Sequence, residues 1–464
     1  MVNKMEIKKE IYAAHKGLST CSSEFLEFAK NNPDALKRSN FNSILLDEQF
    51  KEKPIQPWPA FVNKKTREEM EKAAVKVCKL IKRIPERIFA SDFFKISDYY
   101  EIPIERVELL FYGIQDEDIE HLLARGDFIF SSNGLKCVEF NVDSNLGGWE
   151  LDLLESLYIN NPIIAAFLKK NGVRIRKNTF FPLFLEFLVN RALNKFSNRM
   201  ERLNLALVLP EYREVNAQSY LTGLYRNLLK QKRDGLMGNI IICLFDDLNV
   251  VDDCVFYKDE KIHIVVEMTD GIVPFMILHA AKSGNILLYN GPISKIMSNK
   301  LNLALLSEHE HSYIFSLEER ELIKKYIPWT RKIIPTNTTY RNQEIPLIEF
   351  IRSNKDEFVI KPAGGYSGEE VHLGANVSEM EWDILIKRAV EEKSWVVQEY
   401  IESLSYLHQA DEHGCVEHQA VWGFFVFGSQ YAGGTVRILP GKGKKSVINV
   451  GQGAEKSIII EVEE

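Results

Sequence analysis

Hydrophobic and polar positions change their period several times along this chain, and each change marks a boundary. Through residues 1–95 apolar positions recur at helical spacing, as in Thr66-Arg-Glu-Glu-Met-Glu-Lys-Ala-Ala-Val-Lys-Val-Cys-Lys-Leu-Ile81, with Gln56-Pro-Trp-Pro59 as a break ahead of that helix. The stretch carries no visible chemistry and predicts an N-terminal helical region that caps the molecule. Residues 104–125 predict another helix, ending near Arg125-Gly126. The period then falls to two. Residues 127–130 and 136–141 predict two strands joined through Ser131-Ser-Asn-Gly134. A polar, glycine-bearing loop, Val142-Asp-Ser-Asn-Leu-Gly-Gly-Trp149, leads into a helix at 150–158, and Asn160-Asn-Pro162 breaks it before a second short helix.

Residues 203–290 alternate buried apolar runs with helical patterns. Strands are expected at 205–209, 239–245, 261–266 and 286–289, with helices at 217–230 and 273–281. That alternation predicts a mainly parallel sheet. No Gly-x-Gly-x-x-Gly follows its first strand, which argues against a dinucleotide site. Helices at 301–306, 318–325 and 346–351 come next. Phe358-Val-Ile-Lys-Pro-Ala-Gly-Gly-Tyr-Ser-Gly-Glu-Glu-Val371 then reads as strand, glycine turn, strand. A helix at 378–390, a buried strand at 395–401 and strands at 418–427, 430–439 and 457–462 complete the pattern.

Composition narrows the class. At 464 residues the chain exceeds one ordinary core, so two to four domains are expected. A net charge of −7 argues against a nucleic-acid partner. The N-terminus lacks the apolar core of a signal peptide, and the most apolar run, 180–188, contains Glu186 and is too short to span a bilayer. Six cysteines without a Cys-x-x-Cys pair suit reduced thiols, and with them a cytoplasmic location with no membrane partner.

Two stretches carry candidate chemistry. In the glycine hairpin, Gly364, Gly365 and Gly368 let backbone N–H groups approach an anion, and Lys361 adds a charge at the strand end. In the earlier hairpin, alternation puts Glu139 and Asn141 on one face, opposite Val138 and Phe140. Arg125 and Asp127 share a face of the neighbouring strand if it begins early enough. The oxygens of Asp127, Glu139 and Asn141 suit Mg2+, a hard cation; a solvated face of mixed charge is the plain alternative. Lys300, at a helix start, is a second lysine for phosphate oxygens, and the strand reaching Gln398, Glu399 and Ile401 offers backbone groups to an adenine edge.

Taken in order, Lys300, the Lys361 hairpin and the 398–401 strand resemble the ATP-grasp superfamily. The resemblance implies that Lys300, Lys361, Gly364, Gly365, Ser367, Gly368, Gln398, Glu399, Ile401 and Arg437 bind ATP, that Asp127, Glu139 and Asn141 hold Mg2+, and that Arg125 is catalytic. Ser144 and Asn145, in the loop beyond the metal motif, become substrate residues. In most of the superfamily the magnesium motif follows the lysines; here it precedes them, as in the circularly permuted branch typified by the synthetase domain of glutathionylspermidine synthase. Trp422-Gly-Phe-Phe-Val-Phe-Gly-Ser-Gln-Tyr-Ala-Gly-Gly-Thr-Val-Arg437 resembles that branch's strand pair, in which the arginine faces the phosphates. The implied fold is α/β (α+β): a circularly permuted ATP-grasp fold with a preATP-grasp-like α/β domain and an N-terminal helical region. Its implied divisions are a helical region at 1–95, a first ATP-grasp segment at 96–200, an α/β substrate domain at 201–297 and a second ATP-grasp segment at 298–464.

The implied activity is amide-bond formation between a small-molecule or peptide carboxylate and an amine through an acyl phosphate, with ATP converted to ADP and phosphate and Mg2+ as cofactor. A nucleotide-binding protein without catalysis and a small-molecule kinase are the alternatives. Gln398 stands where a Glu is common in the superfamily, which leaves its adenine contact open. The loop at 406–420 holds His408, His413, Cys415 and His418, types that ligate zinc, but in no recognisable zinc pattern. Gly441-Lys-Gly-Lys-Lys-Ser446 lacks the residue order of a P-loop and reads as a basic loop near the phosphates.

Overall fold

A computed structural model describes residues 8–32, 55–177, 179–196, 200–211, 218–269, 273–364, 370–410, 414–441, 447–448 and 453–464. Gly365, Ser367 and Gly368, His413, and the basic stretch at 442–446 lie outside the described residues.

The largest sheet has eight strands, and its central path runs Ala60–Asn63, Glu455–Glu463, Gln430–Pro440, Gly414–Phe427, Leu123–Ser131, Gly134–Asn141. Early and late segments thus interleave in it. Leu123–Ser131 pairs antiparallel with Gly414–Phe427, joining the early hairpin to the C-terminal strands. The N-terminal region is more than a helical cap. Its helices Lys9–Leu18, Thr20–Asn31 and Lys64–Lys82 are interrupted by Ala60–Asn63, which adds parallel to Glu455–Glu463. Asn63 then caps the next helix, its side chain accepting from the Thr66 N–H.

The helix expected over 104–125 is shorter than that. It spans Ile104–Tyr112 and stops at Gly113; a single turn at Asp116–Ile119 follows, and the chain is extended from Leu123. The apolar run Leu122-Leu123-Ala124 is buried as strand. Arg125 therefore lies on the same strand as Asp127.

Four parallel strands form the α/β unit, in the order Leu287–Tyr289, Ile264–Glu267, Leu205–Val208, Ile240–Cys243. The single strand expected at 261–266 is two strands broken at His263. The first, Glu260–Ile262, belongs to a separate antiparallel sheet with Leu248–Val251 and Cys254–Tyr257. A third layer, the four-stranded sheet Thr330–Lys332, Trp395–Glu399, Phe358–Pro362, His372–Leu373, carries Lys361. All six cysteines are free, and no helix among the described residues is long and apolar enough to cross a membrane.

Candidate active site

The eight-stranded sheet and the Lys361 sheet face each other across a cleft of about 480 Å3. On the large sheet the strand registers build one polar face. Thr435 pairs with Gly423, Gly423 with Asp127 and Asp127 with Glu139, so four neighbouring strands contribute to one row. Arg125 pairs with Asn141 one step along, and Arg437 pairs with Val421 in the opposite direction. Alternation keeps all of these on the cleft side.

A bulge modifies the expected alternation. The register shifts between Asp127 and Phe128, so Val138 has no partner of its own. Burial changes phase there: Leu135, Cys137 and Phe140 are buried, whereas Val138, Glu139 and Asn141 are all half-buried and line the cleft. Val138 thus departs from its expected place beside Phe140. Its carbonyl, exposed by the bulge, accepts from Lys361 Nζ at 3.0 Å.

Several contacts fasten the two chain segments. Ser298 Oγ accepts from the Val142 N–H at 2.8 Å, which sets the start of helix Leu301–Glu308 beside the early hairpin. Lys300 Nζ lies 3.3 Å from Glu139 Oε1, and the Lys300 N–H donates to the Ala363 carbonyl at 3.0 Å. Asn299 Oδ1 accepts from the Leu301 N–H at 2.9 Å, which fixes the turn that leads into this helix.

Asp127 is 3% exposed and held by two arginines, Arg125 Nε at 3.1 Å and Arg437 at 2.6 Å. Burial alone would raise its carboxyl pKa, but the two guanidinium groups hold it below the usual range. Arg125 also donates to the Leu146 carbonyl; burial opposes its charge, and Asp127 more than offsets that, raising its pKa. Lys361 is deeply buried. Burial draws its ammonium down to about 8, with Lys300 adding to the effect and Glu139 opposing it.

The cleft also has an apolar part. Ile129, Val421 and Ile448 cluster with Val138 and Ile401, and Val359 and Leu373 line the same space. Such a slot accepts a flat heterocycle, while the polar row beside it accepts anions and a metal. The donor set of Asp127, Glu139 and Asn141 is all oxygen, and Asp127 and Glu139 are directly opposed. That set fits Mg2+, with water and phosphate oxygens completing the shell. Among the described residues no group of three or more His, Cys, Asp or Glu side chains is placed to hold a metal; here the third donor is an amide.

Most of the expected residues that are described come to this cleft: Arg125, Asp127, Glu139, Asn141, Asn145, Lys361, Gln398, Glu399, Ile401 and Arg437 line it, and Lys300 reaches it through Glu139. Gly364 lies two residues past the end of the Lys361 strand, Phe358–Pro362. Ser144 is not brought in. It is 3% exposed, and its hydroxyl bonds the Glu267 and Tyr289 carbonyls and the Asn290 N–H. The side chain of Gln398 is buried against Lys361. His408 and His418 are buried with their rings packed at 5.6 Å between centroids, and they form no metal cluster with other described residues.

Sequence reasoning missed Asp143, Glu150, Gly423, Thr435 and Lys456. Glu150 and Lys456 pair at 2.7 Å at the cleft edge. For Gly423 a signal existed: a glycine inside an apolar strand marks a close approach. A Cβ there would lie 3.2 Å from Arg125 Cδ and 3.3 Å from Asp127 Oδ1.

No protein-family model and no curated protein sequence matches the chain. Its fold is similar to that of a glutathione synthetase-like effector from Globodera pallida in apo form. The TM-score is 0.58 at 12% identity, covering 94% of this chain and 96% of that one. A putative gamma-glutamylcysteine synthetase from Methylobacillus flagellatus aligns at a TM-score of 0.39 and 11% identity over 83% of this chain and 88% of that one, too low to bear on the fold.

Proposed function

We propose that this chain is an ATP-dependent carboxylate–amine ligase of the ATP-grasp type, in the circularly permuted arrangement. One observation carries the reading. The Arg125, Asp127, Glu139, Asn141 face meets Lys361 across one cleft, through a contact between residues 223 positions apart. The insertion of Leu123–Asn141 beside the C-terminal strands supports the permuted order. In this reading 96–200 and 298–464 are the two halves of the ATP unit, 201–297 is the substrate domain and 1–95 braces them. The likeness to a synthetase-like fold supports a ligase in general terms.

Mg2+, when bound, supplies charge neutralisation on the phosphates and orients them. The chain's residues do the rest. Lys300 and Lys361 take phosphate oxygens, and Arg437 faces the γ-phosphate. The apolar slot takes the base. The substrate carboxylate attacks the γ-phosphorus, ADP leaves, and an acyl phosphate remains. Arg125, held by Asp127 and the Leu146 carbonyl, faces the oxyanion that forms when the amine nitrogen adds to the acyl carbon. The amine loses a proton, inorganic phosphate departs and the amide is formed. Asn145, on the same cleft wall, binds substrate.

The test is ADP release from ATP and Mg2+ by the purified protein, screened against paired carboxylates and amines. Release that needs both members of a pair, with one amide formed per ADP, is expected. ADP release that needs only one acceptor, with a phosphorylated product, would replace ligation by phosphoryl transfer.

A further inference from the structure

Gln398 turns its side chain to Lys361 and Thr330. It lies on Trp395–Glu399, paired with Thr330 on one neighbouring strand and Val359 on the other, while Lys361 pairs with Val396. Thr330, Gln398 and Lys361 therefore stand on one face of the small sheet, in a row across three strands. The row is hydrogen-bonded end to end. Thr330 Oγ1 donates to the Pro328 carbonyl at 2.9 Å, so it accepts from Gln398 Nε2 at 3.1 Å. That leaves Gln398 Oε1 facing Lys361 Nζ, a pure donor, at 2.7 Å. The polarity has one solution. The middle residue needs a donor at one end and an acceptor at the other, and Gln398 is 3% exposed with both ends used.

Lys361 itself donates to two neutral oxygens, Gln398 Oε1 and the Val138 carbonyl. The charged and titratable groups around it are Glu139, Asp127, Lys300 and Cys137. None of its described hydrogen-bond acceptors is a carboxylate. An ammonium has three donors, so one remains to face the cleft that Lys361 lines. A glutamate at 398 would instead give the lysine a buried counter-ion and place a negative charge where a phosphate must come.

We propose that Gln398 is a positioning residue: its amide, oriented by Thr330, holds Lys361 with a neutral acceptor so that the lysine's charge and third donor are left for a nucleotide phosphate. The inference rests on the nucleotide reading of the cleft.

Calorimetric titration of the full chain with ATP and Mg2+, from pH 7 to 9.5, tests it without turnover. Wild-type affinity should fall as pH rises past about 8, where the ligand-free lysine loses its proton. Gln398→Glu should bind at least tenfold more weakly at pH 7, and its affinity should hold to higher pH, because the added carboxylate keeps the lysine charged. Thr330→Val, which removes the hydroxyl that orients the amide but adds no charge, should weaken binding less and leave the pH profile near wild type. It keeps the test open if Gln398→Glu does not fold. Wild-type affinity and profile in Gln398→Glu, or in Thr330→Val an affinity equal to wild type, would overturn the positioning role while the nucleotide site stands. A folded wild-type chain that binds no ATP would overturn both.

Discussion

At the scale of single residues the site depends on side chains that are absent as much as on those present. Gly423 lets Arg125 and Asp127 lie flat over the neighbouring strand. Gly423→Val is expected to lower turnover roughly ten- to a hundredfold by displacing that pair, with a thermal shift of only a few degrees; melting and ADP-release assays on one preparation check it. Histidine placement makes a second prediction. Burial draws His15 and His418 down to about 4, and His408, which packs against both, lies well below its ordinary value. All three are neutral when folded and gain protons when unfolded below about 6.5. The unfolded state thus binds more protons, and stability should fall as pH drops from 6.5 towards 4. His15 alone accounts for about 3 kcal/mol across that window. Nδ1 of His408 has no hydrogen-bond partner among the described residues, so His408→Leu should cost little at pH 8 and flatten the decline by about one proton. Urea unfolding at several pH values measures both.

Elements show how far the sequence could be read. The early hairpin and the strand that carries Lys361 were legible because alternation and apolar runs agree locally, and the four parallel strands of the α/β unit were legible for the same reason; the partner of the Lys361 strand is His372–Leu373, just past the stretch that reads as the glycine hairpin. The helix drawn through 104–125 ran too far because Leu122, Leu123 and Ala124 suit a buried strand as well as a helix. Ala60–Asn63 was hidden by its length: four residues behind Pro59 carry no period, and only the distant partner at 455–463 makes them a strand. The bulge at Val138 was invisible for a related reason, since register belongs to the pair of strands and not to either alone. Ser144 was assigned to substrate from its loop, yet it fastens that loop to the α/β unit. Ser144→Ala strands a buried N–H and should destabilise the protein by roughly 1–3 kcal/mol in urea unfolding. Asn145→Ala, in contrast, should raise KM for a substrate with little change in stability.

The whole molecule is held together by the joining of distant segments. The start of the described chain packs on its end, and the cleft is closed by Lys300–Glu139, Ser298–Val142 and Lys361–Val138. In the free protein each carboxylate of the proposed metal set is already compensated, Asp127 by two arginines and Glu139 by Lys300. A divalent cation must therefore compete with these cations unless phosphates draw them away. Mg2+ and ATP should bind synergistically, each raising the other's affinity at least tenfold, as titrations with either alone and with both would measure.

The central claim is that one active site is divided between segments far apart in sequence, and ADP release from Glu139→Gln, Lys361→Ala and the double variant tests it most directly. Each single change should lower release at least a hundredfold while the protein stays folded, and the double variant should be no worse than the poorer single, as for groups that act as a unit. Release at the wild-type rate from either folded single variant would contradict the account.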